Sequence, residues 1–198
     1  MTLFPSLPAE PQLADVFRRF PRANAALADY HDRVLRDRSD LTVAERELIA
    51  AYVSGLNACT YCAGAHRLAA QAFGVDEGLF DGLMADLATS AVDARLKPIL
   101  AYVRKLTLSP SRMVTADADA VYAAGWREEA LFDAIQVAAL FNLMNRIVHG
   151  TGITIDPLAM PEADRKARTA RMTEPGADPH EAPASYSRLV AAATRTGS

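Results

Sequence analysis

The chain has 198 residues, 51% of them hydrophobic, enough for one domain with a packed core, and its 21 Lys and Arg against 24 Asp and Glu leave a net charge of −3. The basic residues are scattered among acidic ones, so no basic face points to nucleic acid or an anionic lipid surface. No apolar run reaches the roughly 18 residues of a membrane span, no basic stretch with an apolar core opens the chain, and two cysteines three positions apart suit a redox motif in a reducing compartment; a cytoplasmic location is expected.

Pro5, Pro8 and Pro11 make the opening residues an extended arm of the kind that wraps a neighbouring subunit. A short helix is predicted over Leu13 to Phe20. After Pro21, Ala26, Leu27, Tyr30 and Val34 recur at helical spacing over Ala23 to Leu35, before the polar run Arg36 to Asp40. His31, between Tyr30 and Asp32, reads as an ordinary surface histidine. Thr42 followed by Glu45 is a capping-box signature, so the next helix is predicted from about Val43. Leu48, Ile49, Tyr52, Val53 and Leu56 form its buried stripe, and Asn57 ends it in a left-handed turn. A partner helix is predicted from Cys59 or Thr60 to Phe73, stopped by Gly74.

Further helices are predicted over Asp76 to Leu87, with Asp76 as cap, and over Asp93 to Leu106, where Pro98 implies a kink or a start nearer Lys97. Ser109-Pro110 is a break. Thr115 to Ala124 follows, with Thr115 as cap and Gly125 as stop. From Arg127, the residues Leu131, Ile135, Ala138, Phe141, Leu143, Met144 and Ile147 make a long helix that is apolar on most sides. It is predicted to be the central buried helix, ending at His149-Gly150, and its Met, Phe and Leu residues read as core and not as a cofactor-lining stripe. Asn142, Asn145 and Arg146 need hydrogen-bond partners if buried, at a site pocket or a subunit contact. His149 suits the C-terminal end of the dipole as a cation, and Trp126 packs at a helix start. Beyond Asp156, prolines punctuate short polar helices over Glu162 to Met172 and Ala184 to Ala193. With no convincing strand alternation the fold class is all-α: residues 1–160 are expected as a helical domain and 161–198 as a tail packed on that core or on a neighbouring subunit.

The chemistry concentrates between Glu47 and His66. At about 100° per residue, Cys59, Cys62 and His66 fall within roughly 60° of one another, so two thiols and an imidazole share one helix face. A helix N-terminus favours the thiolate, the nucleophilic form. An imidazole four residues beyond Cys62 can take its proton, and a second thiol one turn away can close a disulfide on an oxidised sulfur. If the two helices pair antiparallel, Glu47 and His66 meet at similar depth, with the small residues Ala50, Ala51 and Ser54 permitting close approach. The same Cys59, Cys62, His66 and Glu47 also have the donor types of a zinc site, although structural zinc sites more often bring a second Cys or His pair. Two inert core cysteines in a structural protein are the remaining reading.

The pattern of Glu47, eleven intervening residues, Cys59-Thr60-Tyr61-Cys62, three more and His66, with Asn57 two before the first cysteine, resembles the alkylhydroperoxidase D (AhpD) family within the carboxymuconolactone decarboxylase superfamily. The resemblance spans about Leu41 to Gly74, and a fainter likeness to the peroxidase-related branch returns from Asn145-Arg146-Ile147 to Gly152-Ile153. It implies an AhpD-like helical bundle and a peroxidase in which a hydroperoxide oxidises Cys62 to the sulfenic acid, Cys59 resolves it, and Glu47 and His66 relay protons. It also implies a homo-oligomer (dimer, trimer or hexamer). No dissociable cofactor is needed, because the electrons reside in the thiols; an external dithiol or reducing protein would return them. A decarboxylase, the other activity of the superfamily, has no evident use for a cysteine pair. Many members carry a second histidine between the cysteines, where this chain has Tyr61, a change that removes a group titrating near neutral pH.

Overall fold

The computed structural model describes residues 3–170, 172, 173, 186–188 and 190. The described helices run in the order α1 (Leu13–Arg19), α2 (Asn24–Arg36), α3 (Val43–Leu56), α4 (Thr60–Ala72), α5 (Leu79–Ala85), α6 (Lys97–Leu108), α7 (Thr115–Ala123), α8 (Glu128–Thr151) and α9 (Glu162–Ala170). The described residues contain no strand, and the fold is an all-α bundle.

Local chemistry sets most boundaries. Thr42 Oγ1 accepts the Glu45 amide at 3.2 Å while Glu45 Oε2 accepts the Thr42 amide at 2.7 Å, so α3 opens on the anticipated reciprocal cap. Gly74, at φ 99°, closes α4 with the Val75 amide bonded to Ala70 O and the Gly74 amide to Gln71 O. Pro98 stands in the first turn of α6, where its missing N–H costs nothing, so the helix starts at Lys97 without a kink. Asp93 makes the preceding turn instead, accepting the Arg95 amide at 2.8 Å. Likewise α5 is shorter than expected: Asp76 is absorbed in a turn to Leu79, and Asp86 leaves the helix to take the Ala88 amide and the Thr89 hydroxyl. Thr115 is the first residue of α7, not its cap; the Asp117 carboxylate takes the Val114 amide at 2.8 Å.

Helix α3 is the hub, packed against α2, α4, α5, α6 and α8, and its tightest partner is α4. Ala50, Ala51 and Ser54 are fully buried in that hub. Helix α8 supplies the other half of the core through Ala134, Val137, Ala138, Leu140, Phe141 and Met144. It is long and apolar enough to cross a membrane by length and composition, with half of the qualifying window buried in the protein itself. It is not buried on all sides: Phe132 and Leu143, the latter expected in the core, are exposed. The helix also runs two residues past His149, because Gly152 adopts φ 77° and accepts the left-handed cap.

Both ends of the described chain fold back on this bundle. The proline-rich arm packs on its own chain and does not stand free: Leu7 is buried and Phe4 meets Phe20 edge-on at 5.5 Å. Helix α9 and the turn Pro157–Ala159 lie against α4. Of the predicted helix over Ala184 to Ala193, Tyr186 to Arg188 and Val190 are helical, with Val190 buried, and the other positions lie outside the described residues.

Candidate active site

The junction between α3 and α4 positions the first cysteine. The Ala58 amide bonds to Gly55 O and the Cys59 amide to Ser54 O, both at 2.9 Å, the two-bond closure of a helix end with its left-handed residue at Ala58, φ 53°. Asn57, expected in that conformation, stays at φ −85° and turns its amide to α8, donating to Asn145 Oδ1 at 2.9 Å and Asn142 Oδ1 at 3.2 Å. Cys59 is thus the residue that ends one helix and caps the next, so its sulfur sits at the N-terminus of α4 with Cys62 one turn on.

Deep between the helices, Glu47 is 1% exposed and has a partner on each oxygen. Oε2 meets His66 Nδ1 at 2.6 Å and Oε1 meets Arg36 Nη2 at 2.5 Å. Burial alone would raise this carboxyl, but the Arg36 charge and then His66 outweigh it and hold the group down at about 2. The carboxylate assigns the proton of His66 to Nδ1, leaving Nε2 as the nitrogen able to exchange one. Phe141 stands edge-on to the His66 ring at 4.3 Å and fixes its plane.

His31 is not a surface residue. It is 3% exposed, 5.8 Å from the His66 ring and stacked on Tyr186 at 3.4 Å. Its neighbour Asp32 accepts the Tyr186 and Ser187 amides at 2.9 Å each, which brings Tyr186 over the imidazole. Neither ring nitrogen has a hydrogen-bond partner among the described residues. Burial first, then the neighbouring His66, push its pKa well below 6.5, so it is neutral at pH 7.

Both cysteines are free thiols, 1% and 3% exposed, and in contact with each other. The Cys62 thiol, and with it the Cys62 amide and the His149 ring, favour a Cys59 thiolate strongly enough to overcome burial, bringing Cys59 down to about 6. Cys62 is driven up, by its hydrogen bond to Cys59 and by burial, with Asn145 as its polar neighbour. Of the two thiols, Cys59 is therefore the one that its surroundings favour as thiolate. Asn145, 2% exposed, is itself anchored by donating to Ser54 Oγ at 3.0 Å. Among the described residues no three His, Cys, Asp or Glu side chains converge as metal ligands, so Glu47, Cys59, Cys62 and His66 do not form the zinc set weighed above.

Residues 21–105, which contain the whole Glu47-to-His66 array, match the model of the carboxymuconolactone decarboxylase family. The chain superposes with a TM-score of 0.61 on an uncharacterized peroxidase-related protein from Silicibacter sp. TM1040, at 28% identity over 71% of this chain and 70% of that one. Over residues 21–105 the chain is thus similar to the carboxymuconolactone decarboxylase family, and its fold is that of the AhpD-like proteins. Two more solved structures share the fold: the AhpD core of an uncharacterized peroxidase-related protein from Ralstonia eutropha JMP134 (TM-score 0.67, 24% identity, 71% of this chain and 74% of that one) and a protein of unknown function from Agrobacterium tumefaciens, put forward as an antioxidant-defence AhpD (TM-score 0.59, 20% identity, 69% and 92%). The search of curated proteins gave no match.

The structure joins Glu47 to His66, as the helix pairing anticipated, and brings Cys59 next to Cys62. Three contributors were not anticipated as such. Arg36, assigned to a polar run, is the last residue of α2 and neutralises the far side of Glu47. His31 abuts His66. His149, expected only as a favourable charge at a helix end, is near enough to Cys59 to favour its thiolate. The available signal for His149 was its position four residues after Asn145, hence on the same face of α8.

Proposed function

We propose that this AhpD-like protein is a thiol-dependent peroxidase that cycles its cysteine pair between dithiol and disulfide. The observation that carries the reading is the pairing of two buried free thiols, one helical turn apart, with a buried Glu47–His66 hydrogen bond of 2.6 Å on the same two helices. In the cycle, one thiolate attacks the hydroperoxide, the O–O bond breaks, and the alkoxide leaves and is protonated to the alcohol while the sulfur becomes a sulfenic acid. The second thiol then displaces the hydroxyl as water and the S–S bond forms, so the pair supplies both electrons. An external dithiol or reducing protein returns them. Nε2 of His66, one turn beyond Cys62, takes the proton that Cys62 must lose, and Glu47 holds the imidazole in the tautomer that can accept it.

The test is intact mass and free-thiol count of the reduced protein before and after one equivalent of tert-butyl hydroperoxide. Loss of both thiols as an intramolecular disulfide is the expected result. Thiols that remain free at that stoichiometry refute the reading, as does near-normal turnover in either Cys59→Ser or Cys62→Ser.

A further inference from the structure

We infer that Arg36 is a positioning residue of the proton relay: by balancing the charge of Glu47 it keeps His66 neutral, with Nε2 free to take the proton of Cys62. The inference rests on the peroxidase reading above.

A carboxylate as buried as that of Glu47 needs a positive charge or a proton beside it. Two groups stand close enough to supply one, Arg36 Nη2 at 2.5 Å and His66 Nδ1 at 2.6 Å. A guanidinium keeps its charge throughout the physiological range, whereas an imidazole gains and loses a proton near neutrality. With Arg36 in place, Glu47 requires of His66 only a hydrogen bond from Nδ1–H, and the ring can remain neutral. Without Arg36 the same carboxylate would draw in a proton by one of two routes. Either His66 becomes imidazolium, protonated on both nitrogens, or Glu47 becomes the acid and donates to Nδ1, which moves the ring proton to Nε2. On both routes Nε2 carries a proton and cannot accept the one from Cys62.

The guanidinium is held in place from three directions. Arg36 is the last residue of α2, its Nη1 donates to Leu35 O at 3.2 Å, and its Nη2 meets Glu47 on α3. Its guanidinium carbon also lies 5.2 Å from the centre of the Phe73 ring at the end of α4, so one side chain ties together the three helices around the relay. Arg46, beside Glu47 in the chain, is turned to α2 instead and donates to Val34 O at 3.1 Å. The remaining ionisable groups around His66 are His31 from α2, neutral at pH 7, and Cys62 on its own helix. Asp156, in the turn packed on α4 at Gly64, has its carboxylate on the Leu158 amide, and α8 presents the Phe141 ring.

The test reads the two ring nitrogens of His66 by nitrogen NMR at pH 7 in the reduced, isotope-labelled full-length protein, the signals being assigned by their loss in His66→Gln. It adds the pH profile of the rate of thiol loss with tert-butyl hydroperoxide. An unprotonated Nε2 is expected in the parent and in Arg36→Lys, and a protonated one in Arg36→Gln. The acid limb of the rate profile should stand about one pH unit higher in Arg36→Gln, and Arg36→Lys should bring it back toward the parent. A protonated Nε2 in the parent overturns the inference without any substitution at Arg36 having to fold. An unprotonated Nε2 in Arg36→Gln, or a lower rate there with no movement of the profile along the pH axis, overturns it as well, because a merely structural role would do that. The spectra need no turnover. The expected protonation pattern in a protein inert to peroxide would refute the peroxidase reading while upholding the role of Arg36, and a reactive parent with the opposite pattern would overturn the inference alone.

Discussion

Replacing Glu47 by Gln keeps the shape of the side chain and removes the charge that Arg36 and His66 both face. Two routes give the size of the effect. The carboxyl falls from 4.5 to about 2 on folding, which at about 1.4 kcal/mol per pH unit is about 3 kcal/mol of stability at pH 7. Removing one member of a buried ion pair generally costs about 3–5 kcal/mol, and Arg36, with 16% of its side chain exposed, can recover some hydration, which favours the lower end. Because the folded value is depressed, this stability is complete above pH 4.5 and is lost as the pH falls toward 2. Urea unfolding followed by far-ultraviolet circular dichroism should therefore place Glu47→Gln about 3 kcal/mol below the parent at pH 7 and only about 1.5 kcal/mol below it at pH 3. A difference under about 1 kcal/mol at pH 7, or one that does not shrink by pH 3, would show that the carboxylate is not held as described.

Two further substitutions probe the surroundings of the site. His31→Phe removes two unpartnered ring nitrogens from the interior and should stabilise the protein by about 1 kcal/mol at pH 7.5. The advantage should widen at pH 5.5, because the unfolded chain binds a proton below pH 6.5 that buried His31 resists; urea midpoints at the two pH values check this, and a lower midpoint for the variant at both contradicts it. A Cβ at Gly64 would stand 3.0 Å from Pro157 Cδ and 3.3 Å from Asp156 Oδ1, so Gly64→Val should lose about 1–3 kcal/mol, and Gly64→Ala less, since better helix propensity offsets up to about 1 kcal/mol. A Gly64→Val melting temperature at or above that of the parent would refute the close approach of the Pro157–Ala159 turn.

By itself the sequence determined what depends on neighbours a few residues apart. The Thr42–Glu45 cap, the Gly74 stop, the apolar stripe of α3 and the one-turn spacing of Cys59, Cys62 and His66 are all expressions of helical periodicity and terminal hydrogen bonding. The meeting of Glu47 with His66 was legible as well, because a short turn between two helices leaves one antiparallel register. What the tertiary structure decided lies across longer separations. His31 is buried because Tyr186, 154 positions beyond Asp32, is held by Asp32 and stacks on its ring, so the charged neighbour in the sequence is the anchor of its cover. Arg36 reaches Glu47 because of how α2 crosses α3, an angle that the intervening loop does not encode in any periodicity. Asn145 meets Asn57 and Ser54 because α8 packs against the end of α3. Spacing within a helix tells which side chains share a face; only the packing of helices against one another, driven by the burial of their apolar stripes, decides what that face meets.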